Sequence, residues 1–122
     1  MAGIAEARDL FIDVYERYYA LICSVAYTKL GDTDDAMDAA QEVFIRFHGK
    51  IREVREPRPW LYGTLRNVVF DMMKKKKPDL TEGEMDDLGV AYLNGFRDTR
   101  LMIQEALESE DLSQVPALVA QL

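Results

Sequence analysis

Apolar residues recur at spacings of three and four through the first part of the chain, at Leu10, Phe11, Val14, Tyr15, Tyr18, Leu21, Ile22, Val25, Ala26 and Leu30. That period lays them along one face of a long amphipathic helix. Gly31 follows and suits the C′ position, where a residue without Cβ enters the left-handed region at little cost. Asp32-Thr33-Asp34-Asp35 then supplies N-cap side chains and negative charge for the positive end of the next helix dipole. A second helix is predicted over about Thr33 to His48. Its inward positions are Ala36, Ala40, Val43, Phe44 and Phe47, while Asp34, Asp35, Asp38, Gln41, Glu42 and Arg46 fall mainly on the remaining surface.

Gly49 to Glu56 has poor helical periodicity and reads as a loop. Pro57-Arg58-Pro59 suits the first turn of a new helix, because the missing N–H of proline has no intrahelical partner there in any case. The third helix is predicted over about Pro59 to Lys76, with Leu61, Leu65, Val68, Val69, Met72 and Met73 as its apolar set. Tyr62, Arg66, Asn67, Asp71 and Lys74 lie mostly elsewhere on it, and Pro78 disfavours helix at Lys77. Pro78 to Gly95 is acidic, carries Gly83, Gly89 and Gly95, and has weak periodicity, which predicts a linker with room for a short helical turn. Phe96 to Glu108 regains helical character, and Val115 to Leu122 ends while still apolar, as a chain cut short would.

Strand-like alternation of useful length is absent, so the expected fold class is all-α, a compact bundle of about three main helices. The expected division is a helical domain over 1–77, an acidic linker over 78–95 and a partial helical segment over 96–122. A chain of 122 residues, 48% hydrophobic, holds one core and is short for two. No run approaches the roughly 18 apolar residues of a membrane span, and no signal peptide opens the chain, so a cytoplasmic protein without membrane association is expected.

Cys23 and His48 are the single cysteine and histidine, which excludes an internal disulfide and a His/Cys zinc cluster. One histidine cannot supply the paired Glu-x-x-His motifs of a di-metal bundle, and phosphate-loop and dinucleotide glycine patterns are missing. No cofactor, metal or catalytic residue is expected. Cys23 falls on an apolar helical face and reads either as buried filler or as a redox-sensing thiol.

The net charge of −7 argues against a nucleic-acid partner until it is divided along the chain. Met1 to Ile45 carries 3 basic and 9 acidic residues, Arg46 to Lys77 carries 10 and 3, and Pro78 to Leu122 carries 2 and 10. A basic block therefore stands between two acidic ones. Charge alone leaves two readings open, a nucleic-acid footprint or a solvated face paired with the flanking acids.

Specific motifs surround that block. Asp38-Ala39-Ala40-Gln41-Glu42-Val43-Phe44-Ile45-Arg46-Phe47 is followed by Pro59-Trp60-Leu61-Tyr62-Gly63-Thr64-Leu65-Arg66-Asn67 and Asp71, and preceded by Tyr15-Glu16-Arg17-Tyr18-Tyr19 and Leu30-Gly31-Asp32. In this order they resemble region 2 of the sigma-70 family of RNA polymerase sigma factors, with the extracytoplasmic-function (ECF) subgroup most similar, over about Asp9 to Lys77.

The resemblance implies a bundle whose second helix docks on the clamp helices of the polymerase β′ subunit, a role that falls here on Asp38, Gln41, Glu42 and His48. Residues three, four and seven apart share a helical face, so these positions form an acceptor-rich patch for a basic partner. It also implies capture of flipped bases of the promoter −10 element, from the non-template strand, by the loop and the third helix. The matching DNA-binding positions are Lys50, Arg52, Arg55 and Arg58 around the loop, then Arg66, Asn67, Asp71, Lys74 and Lys75, with Lys76 and Lys77 completing the basic run. Such a strand needs cations for its phosphates and an amide for a base edge, and Asn67 offers both donor and acceptor. Trp60 is either a core anchor or a stacking platform, and Tyr62 stays undecided.

The family's region 4, a helix-turn-helix for the −35 element, has no counterpart beyond a resemblance of Phe96 to Leu122 to its entry. The expected function is thus a non-catalytic module that binds core RNA polymerase and recognises or melts the −10 element. The alternative is a sigma-like mimic or interaction module whose partner is an anti-sigma factor.

Overall fold

The computed structural model describes residues 2–95, with side chains from Glu6 onward. Helices α1 (Ala2–Leu30), α2 (Thr33–Lys50) and α3 (Pro57–Lys76) pack against one another, followed by a 3₁₀ turn (Glu82–Met85) and helical residues 86–95, here α4. Among the described residues there is no strand, and no helix is long and apolar enough to cross a membrane.

The α1–α2 corner follows from four residues. Gly31 takes φ of 69°, and its N–H donates to the Tyr27 carbonyl at 3.0 Å, closing α1 in a left-handed cap. Asp32 then caps α2 by accepting the Asp35 N–H at 2.9 Å, with Asp34 and Asp35 in the first turn. Asp32→Ala is expected to lower stability by about 1 kcal/mol, read from the midpoint of thermal unfolding. An unchanged midpoint would mean that water serves the orphan N–H equally well.

The core takes Val14, Tyr18, Ile22, Val25 and Ala26 from α1, Ala36, Ala39, Ala40, Val43, Phe44 and Phe47 from α2, and Leu61, Leu65, Val68 and Val69 from α3. The three alanines of α2 let its axis approach α1 closely, and Phe47 fills the space where all three helices meet. Two boundaries move from the sequence expectation. α2 continues to Lys50, and α3 begins at Pro57, where the ring's fixed φ already suits the first turn.

Residues 78–95 depart most from expectation, for they are not an irregular linker. Leu80, Met85, Leu88 and Tyr92 are buried in or against the bundle, the last three at spacings of three and four that define one helical face. Gly89 permits this packing, since a Cβ there would lie 2.9 Å from the Tyr62 hydroxyl. The acids of the segment stay outside, and two of them meet cations: the Lys29 ammonium donates to the Glu84 carbonyl at 2.7 Å and pairs with Asp87, while Lys77 pairs with Glu84 at 3.1 Å. The expected helical segment over 96–122 lies outside the described residues.

Candidate functional site

Two outward faces, one on α2 and one on α3, carry the residues singled out from the sequence. On α2, Asp38, Gln41 and His48 are exposed and share a face with Met37 and Ile45, which are 41% and 66% exposed. The face therefore interleaves apolar and hydrogen-bonding side chains, with Gln41 between Met37 and Ile45 along one ridge of the helix. Its apolar members escaped the sequence reading, although both fall outside the inward positions, which was the available signal. The His48 ring meets the Phe11 ring edge-on at 5.3 Å between centroids.

Glu42 is set apart from that face. It is half-buried, accepts a hydrogen bond from Arg46 Nε at 3.0 Å and turns toward α3. There it lines an open groove of about 640 Å³ with Arg46, Val68, Asp71, Met72, Lys74 and Lys75.

Beside the α2 face, α1 contributes a short aromatic ladder. Tyr15 stacks on Tyr19 at 4.8 Å and meets Phe44 edge-on at 5.1 Å. Burial first, then the hydrogen bond with Cys23, pushes the Tyr19 hydroxyl above the usual tyrosine range, with a Gln41 hydrogen bond opposing. Burial likewise pushes the Cys23 thiol up, so the half-buried sulfur stays protonated and is a poor nucleophile.

On α3, Trp60, Asn67 and Lys74 follow one another at seven-residue steps and so occupy one face, with Gly63 exposed between the first two. Trp60 meets both sequence readings: its edge is anchored on Phe47 at 5.6 Å, and it remains half-exposed. Asn67 and Asp71 are exposed, Arg66 is half-buried, and the Lys74 ammonium lies 5.4 Å from the Phe70 ring centre. Tyr62 turns the other way, against Tyr92 at 5.2 Å.

The basic run at the end of α3 divides. Lys74 and Lys75 border the groove, whereas Lys76 bonds Asp35 at 2.8 Å and Lys77 bonds Glu84. The Asp35 hydrogen bond pushes the Lys76 ammonium above its usual range.

Between α2 and α3, the loop is held by Ile51 and Val54 packed on the core and by the Lys50 carbonyl, which accepts the Glu53 and Val54 N–H groups at 2.8 and 3.1 Å. This presents Arg52 and Arg55 outward, while Lys50 pairs with Glu53 at 3.5 Å. Arg58 does not join them. Its guanidinium Nε donates to the Tyr18 hydroxyl at 2.8 Å, and the group lies 6.0 Å from that ring's centre.

Among the described residues, no group of three or more His, Cys, Asp or Glu side chains is arranged to hold a metal ion. The arrangement suits binding: a mixed apolar and acceptor face on one helix and an aromatic, amide and cationic face on another, held by one core.

Comparison with known proteins gives the family of this arrangement. The family described as Sigma-70 region 2 matches residues 14–78. The chain is 37% identical over 75 residues to the ECF RNA polymerase sigma factor SigW of Bacillus subtilis (strain 168), a match covering 59% of this chain and 40% of that protein. The chain thus aligns with well under two thirds of that curated relative's length. No solved structure matches it significantly.

Proposed function

Since the chain belongs to the sigma-70 region 2 family, we propose that it is a non-catalytic transcription initiation module that joins core RNA polymerase through α2 and captures the melted −10 element on α3. The observation that carries the reading is the single α3 face of Trp60, Asn67 and Lys74, beside a loop presenting Arg52 and Arg55. A single strand needs a stacking surface, an amide and cations along its phosphates, and this face offers them in that order. Asn67 is the base-reading residue, and Lys50, Arg52, Arg55, Lys74 and Lys75 are the phosphate contacts. Arg66 and Asp71 flank the reading amide. Arg58 shapes the site from within.

The α2 face supports the polymerase half of the proposal. Met37 and Ile45 provide the apolar contacts of a docking surface, and Asp38, Gln41 and His48 provide its polar groups, complementary to a basic helical partner such as the β′ clamp helices.

The test is binding of a labelled single-stranded −10 oligonucleotide across a salt series. Lys74→Gln with Lys75→Gln is expected to weaken binding to every sequence and to flatten the slope of log K against log salt by about 0.7 per lost phosphate contact. Asn67→Ala is expected instead to reduce discrimination between bases by about 1–3 kcal/mol, with a smaller loss on unrelated strands. Wild-type protein that binds no strand at low salt would sink the DNA half and favour a module whose partner is an anti-sigma factor.

A further inference from the structure

The start of α3 lacks the device that fixes the start of α2. Asp32 caps α2 through its side chain, whereas Glu56, at the same position before α3, makes no side-chain cap hydrogen bond. The first backbone bond of α3, from the Trp60 N–H to the Glu56 carbonyl, is long at 3.4 Å. This turn carries Trp60 and receives the loop with Arg52 and Arg55, so its placement decides the geometry of the whole α3 face. Two hydroxyls from other helices converge on it. The Tyr92 hydroxyl of α4 donates to the Arg58 carbonyl at 2.7 Å, and the Arg58 guanidinium donates to the Tyr18 hydroxyl of α1 at 2.8 Å.

We propose that Tyr92 is a positioning residue for DNA capture: with Tyr18 it clamps Arg58, and through Arg58 it sets the first turn of α3 and the angle at which Trp60 meets the strand. The inference rests on the −10 reading above and extends it to a helix outside the matched residues 14–78.

The clamp has the properties that positioning requires. Tyr92 is 4% exposed, and its ring packs on Tyr62 one turn beyond Arg58, so the hydroxyl has little freedom to leave the carbonyl. Burial also holds its proton far above the usual tyrosine range, which keeps the hydroxyl a donor at any physiological pH. A carbonyl in a first helical turn has a second lone pair, so Tyr92 adds a bond to α3 without removing one. Met85 and Leu88, both fully buried, anchor the helix that delivers the hydroxyl.

The test uses the full chain and its one tryptophan, Trp60, as a local reporter. Tyr92→Phe keeps the ring and deletes the hydroxyl, and Tyr18→Phe deletes the acceptor at the other end of the clamp. Each is expected to shift Trp60 emission to the red and to weaken −10 strand binding about twofold to tenfold, the range of one hydrogen bond. Binding of β′ clamp helices, which engages α2, is expected to stay at the wild-type level. Equal losses for DNA and clamp helices would reduce Tyr92 to a general stabiliser and overturn the proposal, as would unchanged Trp60 emission in both variants. Wild-type protein that fails to bind the strand would overturn the −10 reading instead, and Trp60 emission would still decide whether the clamp positions the turn.

Discussion

Phe47→Ala is expected to remove about 3–5 kcal/mol from the stability of the domain, the largest effect of any single truncation in the described core. Domains of this size have only about 5–15 kcal/mol in total. Phe47 is fully buried and joins three elements: its ring stacks near Phe11 of α1 at 6.1 Å and supports Trp60 of α3 edge-on at 5.6 Å. Truncation empties the junction of the helices. Urea unfolding followed by far-UV dichroism measures the loss, and Trp60 emission reports the same event locally because its supporting edge is gone. A loss under about 1 kcal/mol would mean that the helices collapse into the vacated volume, contrary to the close packing described.

Ile45→Arg is expected to act in the opposite way, leaving stability within about 0.5 kcal/mol because the side chain is 66% exposed and supports nothing inside. Its effect falls on the polymerase partner. Placing a cation on the α2 face, against a basic partner, combines lost burial with charge repulsion. The expected loss is about 2 kcal/mol, roughly thirtyfold in Kd for β′ clamp helices. Asp38→Ala and Gln41→Ala, which remove a polar group without adding a like charge, are expected to lose less. Wild-type affinity in Ile45→Arg would remove α2 as the docking face and leave the α3 proposal standing.

The three main helices were legible because each repeats its apolar positions over three or more turns and is punctuated by Gly31, Asp32 or Pro57 at an end. Periodicity accumulates with length, so long helices declare themselves. α4 did not, for the converse reason. Its inward face amounts to Leu88 and Tyr92, following Met85 of the 3₁₀ turn, diluted by Gly89, which its packing against Tyr62 of α3 requires, and by acids such as Asp87, whose partner Lys29 lies elsewhere in the chain.

The site was legible to the same degree. Residue types and helical register identify Asn67, Lys74 and Lys75 as an outward set, because these depend on local geometry. What becomes of a cation depends on distant partners. Arg58 faces inward because Tyr18 lies 40 positions away in the chain, and Lys76 is taken by Asp35 at a separation of 41. No local pattern encodes such pairs. Ile45 is the intermediate case: its exposure follows from register by elimination, yet an isoleucine reads as core until the register is applied.

The division of the lysine run bears on how salt acts on this protein. Lys76 and Lys77 already carry counterions, and these are carboxylates of the chain itself, Asp35 and Glu84. A phosphate arriving at Lys74 or Lys75 displaces mobile ions into solution, and dilution of those ions drives the exchange. A phosphate arriving at Lys76 or Lys77 displaces a tethered carboxylate that stays within reach, so the exchange gains no mixing entropy and leaves a new unpaired charge behind. The formal charge of the basic block thus overstates its capacity for ion exchange, and the two lysines next to the groove set that capacity at the end of α3.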